Sequence, residues 1–312
     1  MRLSSSTMGD RLISDLTHAY TRMATTQQQI STGRRVNQPS DDPLAAGQER
    51  LRTSDLAGIQ ASQASVATAT SWLTASETGL SSINDVLARA RELALQGANG
   101  STDQNGRNSI ATEIDQLIKS TKDAMNTKFG DAYVFSGTAS DVAPYSAATG
   151  DAYQGDTNAV IREAGTAATL QANPSFVPAG GSTAQPLSAL TVLGGGTAAG
   201  DGRVLDTLET LAANLRSGNL SALQTTDLQR LDANQQAVNS ARASVGAMLN
   251  RATAATSRLE DLEDLTKNGI DDLTGVDLAK ALTDFTAQQS AYQAALKVGA
   301  QVIQPSLLDF LR

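Results

Sequence analysis

The 312-residue sequence has no cysteine, one histidine and few aromatic residues. Without cysteine the chain cannot form disulfides, thiolate nucleophiles or cysteine-based zinc sites. Aromatic residues make up only 4% of the chain, although hydrophobic residues reach 40%. The apolar surface therefore comes mainly from Leu, Val, Ile and Ala, which favours thin helical packing over one thick core.

Long apolar runs are also missing. No stretch of 18 consecutive apolar residues occurs, so the sequence predicts no membrane-spanning helix and no membrane partner. Near the start, the segment LSSSTMGDRL carries charges where a secretory signal peptide would need an apolar core. We therefore expect that export, if it occurs, uses a route without a cleavable signal.

The charge balance argues against nucleic acid as a partner. The net charge is -8 and the isoelectric point is near 4.7, whereas phosphate neutralisation needs clustered Lys and Arg. Residues 1–36 carry five Arg against two Asp, and residues 260–312 carry nine acids against four bases. These opposite signs favour pairing of the two ends, although a solvated face explains them equally well.

No motif predicts catalysis, a cofactor or a metal site. His18 is the lone histidine, LGGGTAAGDGR lacks the Gly-Lys-Ser/Thr of a phosphate-binding loop, and GDAYQGDTN lacks the order and closing Glu of a calcium loop. Turn chemistry explains the Asp and Asn of the last segment better. We therefore predict a protein that is not an enzyme.

Apolar residues in both terminal segments recur at steps of three and four, the a/d spacing of a heptad repeat. Each segment has one narrow apolar stripe and needs a partner to be stable. Since this chain has no third element to bury a terminal helix pair, we expect neighbouring subunits to cover it. The predicted subunit-interface residues are Leu12, Leu16, Ala19, Met23, Ile30, Leu278, Leu282, Phe285, Tyr292, Leu296 and Ile303.

Two breaks separate the terminal helices from the rest of the chain, at residues 33–42 and 268–277. Gly33 ends the first helix, and either Ser40 or Asp42 can cap the next one, with Pro43 in its first turn. Asn268-Gly269 predicts the end of the second long helix. The breaks lie at comparable distances from the two ends, so they would meet if the halves fold back on each other. The predicted hinge residues are Gly33, Pro39, Asp42, Pro43, Gly269 and Gly275.

The middle of the chain has helical periodicity on both sides of a segment that lacks it. Unbroken steps of three and four run from Val66 to Ala94, resume between 110 and 121, and return at 204–215 and from Val238 to Leu262. The last helix should end at Pro305. Between about 133 and 200 the period is lost, and Pro and Gly separate short runs such as AVIRE and AATLQA, which predicts β-hairpins.

The predicted fold class is mainly α: a long antiparallel helical bundle or coiled coil formed by the N- and C-terminal halves, with a small β-rich central insertion. Three domains are expected. They are a terminal helix pair (1–40 and 275–312), a helical rod (41–140 and 200–274) and a β-rich outer domain (141–199).

Five segments are similar to the bacterial flagellin superfamily. They are RLSSSTM at the start, QISTGRRVNQPSDDPLAAGQ at 29–48, YVFSGTASDVAPY at 133–145, YQGD at 153–156, and residues 277–312. The resemblance covers nearly the whole chain and is weakest over 157–200. Pro39 and Pro43, and YVFSG followed by APY, resemble the proteins of the hook-filament junction more than filament flagellin.

This resemblance implies a structural adaptor outside the cell, in a ring of its own copies between a hook-side hook-associated protein and flagellin. It also implies export unfolded through the flagellar type III apparatus, with a cytosolic export chaperone at the C-terminal segment. Two alternatives remain open. One is a short filament flagellin, and the other is a cytoplasmic helical signalling hairpin of the chemoreceptor type.

Overall fold

The computed structural model describes residues 2–146, 152–165 and 168–310, and the side chains of residues 9–300 within those ranges. The helices are α1 (Arg2–Thr32), α2 (Pro43–Gly97), α3 (Gln104–Met125), α4 (Ala189–Leu193), α5 (Val204–Ser217), α6 (Leu220–Ala222), a π-helical turn (Leu223–Asp227), α7 (Leu228–Thr274) and α8 (Leu278–Phe310). The strands are β1 (Lys128–Phe129), β2 (Ala132–Tyr133), β3 (Ile161–Glu163), β4 (Thr169–Gln171), β5 (Ser175–Phe176) and β6 (Gln185–Pro186).

The mainly α fold class is confirmed, since long helices precede and follow, along the chain, a middle region with short strands. The chain forms two compact units. The terminal unit consists of Met1–Gly58 and Leu262–Arg312, and the body consists of Ile59–Asp261. The division into three domains stays a prediction. Along the part of the chain that the structure describes, no helix is long and apolar enough to cross a membrane.

The predicted stripe on α2 forms the core of the body. Its nine members, at steps of three and four, are all buried: Val66, Ala69, Leu73, Ser76, Leu80, Ile83, Leu87, Ala90 and Ala94. Val238, Ala241, Val245, Ala252 and Leu259 of α7 are buried in the same cluster. A leucine such as Leu80, which is 0% exposed, contributes about 1.5–3 kcal/mol by leaving water. The heptads of the body are therefore a packed core.

Two shorter helices complete this core. The predicted α3 positions Ile110, Ile114 and Thr121 are buried, and Leu117 packs against the cluster. In α5 the four positions with the predicted spacing, Val204, Leu208, Leu211 and Leu215, are 0% exposed. Gly218 ends the helix in the left-handed region with φ +68°. Both predicted helices are confirmed. Helix α3 begins at Gln104, before its apolar stripe, because the Asp103 side chain caps it by accepting a hydrogen bond from the Gly106 amide.

Among the described residues, three separate two-stranded antiparallel ladders lie between α3 and α4 in sequence. AVIRE and AATLQA pair as β3 and β4, with Ile161 opposite Gln171 and Glu163 opposite Thr169. The ladder of β1 and β2 precedes the predicted outer domain, and α4 lies inside it. Ser188 and Thr191 form a capping box that starts α4, a local signal that the hairpin reading overlooked.

Two predicted helix ends are wrong. Helix α7 continues through Asn268 and Gly269 to Thr274, because a glycine inside a helix costs only about 1 kcal/mol and leaves the backbone hydrogen bonds intact. Helix α8 continues past Pro305 to Phe310. A proline inside a helix removes one backbone donor and crowds the preceding turn, which can bend a helix without ending it.

Candidate subunit interface and joint

The terminal helices α1 and α8 pack on each other through one stripe from each helix. In α1 the inward residues are Leu12, Leu16, Ala19, Met23 and Ile30, all half-buried, together with the buried Thr26. Three contacts fix the pairing. The Thr26 hydroxyl donates to Oε1 of Gln288 at 3.2 Å, the rings of Tyr20 and Tyr292 lie 6.2 Å apart, and Leu12 packs on Gly299.

The inward face of α8 differs from the predicted stripe. Its buried and half-buried members are Ala281, Phe285, Gln288, Tyr292, Ala295 and Gly299. Of the residues predicted for the interface, Phe285 and Tyr292 belong to this face. Leu278, Leu282 and Leu296 instead lie beside this face and are 50%, 51% and 46% exposed. Ile303 lies in the part of α8 whose side chains the structure does not describe.

The three exposed leucines share one side of α8, which we call the outer leucine stripe (Leu278, Leu282 and Leu296). At 100° per residue their directions fall within about 40° of each other. The inward face combines Phe285, Gln288 and Tyr292 with two alanines and a glycine, while the three leucines lie beside it and stay about half exposed. A helix pair that closed its own core would place leucines inward, so the outer leucine stripe is apolar surface that this chain does not cover.

The two breaks pair with each other through backbone hydrogen bonds. Arg34 and Gly275 form an antiparallel bridge, the Arg35 amide donates to the Thr274 carbonyl at 2.6 Å, and the Val276 amide donates to the Gly33 carbonyl at 3.1 Å. We call this arrangement (33–42 with 273–277) the joint. Gly33 has φ +69°, a conformation that favours glycine because it has no Cβ.

Charged side chains hold the joint together. Arg34 forms an ion pair with Glu49 of α2, and Arg35 lies 3.3 Å from the Asp42 carboxylate and donates to the Leu273 carbonyl at 2.9 Å. The exposure of these pairs limits each to about 1 kcal/mol or less. Together they fasten the first break to both long helices of the terminal unit.

Two aspartates order the proline-containing segment. Asp41 accepts from the amides of Asn37 and Gln38 at 2.9 and 2.8 Å, and Asp42 caps α2 by accepting from the Ala45 amide at 3.0 Å. The hydrogen bond from the Ala45 amide is the main reason why the pKa of Asp42 is lowered. Partial burial opposes this effect, and Arg35 adds to it. Of the two candidate caps for α2, Asp42 is therefore the one used. Pro43 occupies the first helical position, as expected, and Pro39 lies exposed in the loop.

Gly269 lies outside the joint, inside α7. A Cβ added there would overlap the guanidinium of Arg52, so this glycine lets the Arg52 side chain approach the helix backbone. At Gly275 a Cβ would come 2.5 Å from the Asp271 carbonyl oxygen. Since α7 ends at Thr274 and α8 begins at Leu278, the second break is the short segment from Gly275 to Asp277. Asp277 caps α8 by accepting a hydrogen bond from the Lys280 amide.

The residues considered for other chemistry have local roles. His18 is exposed on α1. Partial burial acts to raise the pKa of Asp156, but the hydrogen bonds that its carboxylate accepts from Thr138 and from the Asn158 amide together outweigh burial and lower the pKa. Among the described residues no group of acids and histidine is placed to bind a metal ion.

In the glycine-rich loop, carboxylates of the chain occupy the amides that a phosphate would need. Asp201 accepts from Gly195 at 2.9 Å, and Asp206 accepts from Gly202 at 3.0 Å.

Sequence reasoning missed the polar members of the α1-α8 contact. Thr26 and Gln288 occupy core positions of the two stripes, yet neither is apolar, so a search for hydrophobic periodicity passes over them. Their positions in the register do give a signal, since Thr26 fills the gap between Met23 and Ile30.

Comparison with known proteins agrees with this geometry. The model of the bacterial flagellin N-terminal helical region matches residues 4–140, and that of the C-terminal helical region matches residues 228–311. The flagellar hook-associated protein 3 of Escherichia coli is 26% identical over 95% of both chains. The protein of the same name from Salmonella typhimurium is 31% identical over 54% of each chain, about half the length of that relative.

A solved structure has the same fold. The crystal structure of flagellar hook-associated protein 3 from Legionella pneumophila has a TM-score of 0.59 and 18% identity, and the likeness covers 72% of this chain and 98% of that one. The two matched regions together span more than two thirds of the sequence and contain all the long helices. The chain belongs to the bacterial flagellin family of flagellar structural proteins.

Proposed function

We propose that this protein is the adaptor of the hook-filament junction, where its copies form a ring between a hook-side hook-associated protein and flagellin. The observation that carries the proposal is the outer leucine stripe of α8, which is left uncovered by the chain itself. Relatives named hook-associated protein 3 support the position at the junction.

The outer leucine stripe supports assembly with other copies. Its three leucines are about half exposed, and burying the exposed half of each contributes about 1 kcal/mol. On α1, Ile13 and Tyr20 are also 63% and 56% exposed. A ring of subunits in which the terminal helix pairs pack side by side would remove these side chains from water.

The partners follow from the same assignment. One edge of the ring binds the hook-side protein and the other binds flagellin. Export proceeds unfolded through the flagellar type III apparatus, and a cytosolic chaperone covers the C-terminal segment before export. A chain without cysteine suits this route, because no disulfide can obstruct threading.

The joint is proposed to act as a hinge between the terminal helix pair and the long helices. Exposed ion pairs and two backbone hydrogen bonds hold it, and these rearrange at lower cost than a packed core. It would absorb the mismatch between a flexible hook and a stiff filament. Replacing residues 33–39 with a rigid helical sequence should abolish motility, and normal swimming of that variant would disprove the hinge role.

Assembly on isolated hooks tests the function. Hooks that carry the hook-side protein but no junction protein are incubated with this protein and then with flagellin. We expect filaments to grow only when this protein is added first, and we expect no filaments from this protein alone. Growth of long filaments from this protein alone would favour the second candidate, a short filament flagellin, which the match to both flagellin helical regions also allows. Membership of the flagellin family removes the chemoreceptor-like alternative.

A further inference from the structure

The chain contains three asparagine-glycine pairs, and the structure holds them in different ways. They are Asn99-Gly100, Asn105-Gly106 and Asn268-Gly269. Asparagine followed by glycine is the dipeptide most prone to spontaneous deamidation, because a glycine leaves its own backbone nitrogen open to the preceding asparagine side chain. The three pairs therefore share one possible chemistry, and their backbone surroundings decide which of them can use it.

Two of the pairs lie in helices that engage the amide of the glycine. Asn105-Gly106 lies in the first turn of α3, where the Gly106 amide donates to Oδ1 of Asp103 at 2.8 Å. Asn268-Gly269 lies inside α7, where each amide of the helix interior donates to a carbonyl one turn earlier. Attack on either asparagine side chain requires the helix to open locally first. These two pairs are therefore protected in the folded protein.

The pair Asn99-Gly100 lies in the turn between α2 and α3, and both of its residues are exposed. Within the part of the chain that the structure describes, the Gly100 amide donates no backbone hydrogen bond. Open space surrounds this glycine, since a Cβ added to it would meet no atom within 4 Å. The Gly100 nitrogen is thus free to approach the side chain that precedes it.

The turn also positions the group that the nitrogen attacks. Oδ1 of Asn99 accepts a hydrogen bond from the Ser101 amide at 3.2 Å. This contact folds the Asn99 side chain over the backbone that follows it, where Gly100 supplies the nitrogen. It also places a donor at the oxygen that becomes negatively charged during the attack, as in an oxyanion hole. Proximity and charge stabilisation therefore both favour reaction at Asn99.

We propose that Asn99 is the preferred site of spontaneous deamidation in the folded protein. The Gly100 nitrogen forms a bond to Cγ of Asn99 and loses its proton, while the bond from Cγ to Nδ2 breaks and Nδ2 leaves as ammonia. Water then opens the resulting succinimide at either carbonyl, which yields aspartate or isoaspartate. The net reaction consumes the amide and water and needs no enzyme, oxidant or cofactor. This inference goes beyond the proposed function and does not depend on it.

Isoaspartate would alter the turn itself, because it lengthens the main chain between residues 99 and 100. The Asn99 carbonyl, which accepts from the Thr102 amide at 3.1 Å, would become part of a free carboxylate. The preceding residue, Ala98, is 8% exposed, and its carbonyl accepts from Nε2 of Gln224 at 3.1 Å. We therefore expect the product to loosen this turn, so that the Thr102 amide exchanges its hydrogen faster.

The test incubates the purified full-length protein at mildly alkaline pH and follows each pair by peptide mass mapping. In the folded protein Asn99 should convert at least about fivefold faster than Asn105, whose attack requires the loss of a capping hydrogen bond. Asn268 should convert more slowly still. In urea the three sites should convert at similar rates. A protease specific for aspartate, which does not cleave at isoaspartate, identifies the isoaspartyl product.

Gly100→Ala is the matched control. The φ of Gly100 lies outside the left-handed region and an added Cβ meets no atom within 4 Å, so this variant should keep the fold. The methyl group hinders the approach of the nitrogen to the asparagine side chain. Conversion at Asn99 should therefore be undetectable over the time in which half of the unmodified protein converts, and hydrogen exchange at Thr102 should stay constant.

The outcomes are distinct. If Asn99 keeps its amide in the folded protein but loses it in urea, the turn protects the side chain and the inference is wrong. Equal rates at Asn99 and at the two helical pairs in the folded protein would also overturn it, since the backbone surroundings would then select no site. If Asn99 converts and the Thr102 amide exchanges no faster, the expected loosening is wrong and the deamidation stands. Assembly on hooks is a separate measurement, so failure here leaves the proposed function untouched.

Discussion

Replacing Leu296 with aspartate should block assembly while leaving the isolated protein folded. Leu296 belongs to the outer leucine stripe and is 46% exposed, so within the chain a carboxylate at this position remains hydrated. Exposed substitutions of this kind change the free energy of unfolding by about 0.5 kcal/mol or less. In a ring, the same carboxylate would be pressed against a neighbouring subunit.

The size of the effect follows from the exposure of the stripe. The three leucines are 50%, 51% and 46% exposed, and burying the exposed half of each contributes about 1 kcal/mol. Leu296→Ala should therefore weaken association roughly 5-fold, since 1.4 kcal/mol corresponds to a factor of ten. Leu296→Asp also places an unpaired charge in the contact, at a cost of several kcal/mol, so the total loss should reach about 1,000-fold or more.

Incorporation onto hooks and the stability of the free chain are measured together. We expect Leu296→Asp to be missing from isolated flagella, while its helicity and unfolding midpoint match those of the unmodified protein. Ala294→Asp is the control. It introduces the same charge two residues earlier, at an exposed position on the side of α8 opposite Leu296, and this variant should be incorporated into flagella. Incorporation of Leu296→Asp at the normal level, or loss of the body fold in this variant, would refute the reasoning.

Three further predictions concern stability. Leu80→Ala should destabilise the body by about 2–5 kcal/mol in denaturant unfolding, because Leu80 is 0% exposed; a loss below about 1 kcal/mol would contradict its core role. Gly33→Ala should weaken the joint by about 1 kcal/mol, because alanine disfavours the φ of +69° at this position. The cost should not be larger, since an added Cβ would meet no atom within 4 Å. Faster hydrogen exchange of the Arg35 amide would report it, and unchanged exchange would count against it. Burial, opposed by hydrogen bonding from Asn214 and by Arg230, raises the pKa of Asp227. Its contribution to stability is therefore full below the ordinary pKa of 3.8 and is lost as the pH rises through the higher folded-state pKa. Asp227→Asn should raise the melting temperature at neutral pH, and an equal or lower one in calorimetry would contradict this.

The helices of the body could be predicted from the sequence because each of them buries an apolar stripe in one shared core. Between Val66 and Ala94 each step of three or four corresponds to a buried position. Ser76 fits this pattern at 1% exposure, since its hydroxyl donates to the Trp72 carbonyl and is therefore not left unpaired in the core. Where one face alone is buried, periodicity and burial report the same residues.

Other features depended on contacts that no local pattern encodes. Asn268-Gly269 has the sequence of a helix end, yet Gly269 serves as the point where Arg52 approaches α7. The sequence of the glycine-rich loop shows that it lacks a phosphate-binding motif. It does not show that Asp201 and Asp206 accept hydrogen bonds from the amides of this loop. Such pairings are set by tertiary structure, which overrides the preference of a dipeptide.

Helix α8 shows why the interface residues were the hardest to assign. A heptad pattern identifies one apolar stripe, but α8 carries two neighbouring faces, and the sequence pattern took Phe285 and Tyr292 from the inner face and Leu278, Leu282 and Leu296 from the outer one. The inner face uses small residues such as Ala281 and Gly299, which allow α1 to come close. A helix with an inner face that pairs two aromatic rings with small residues, and a leucine-rich face beside it, has room for two partners, one from its own chain and one from outside it. That distribution, rather than periodicity, is what the proposed ring would require of a terminal helix, because the outer face must remain hydrated in one molecule and be buried between neighbouring copies.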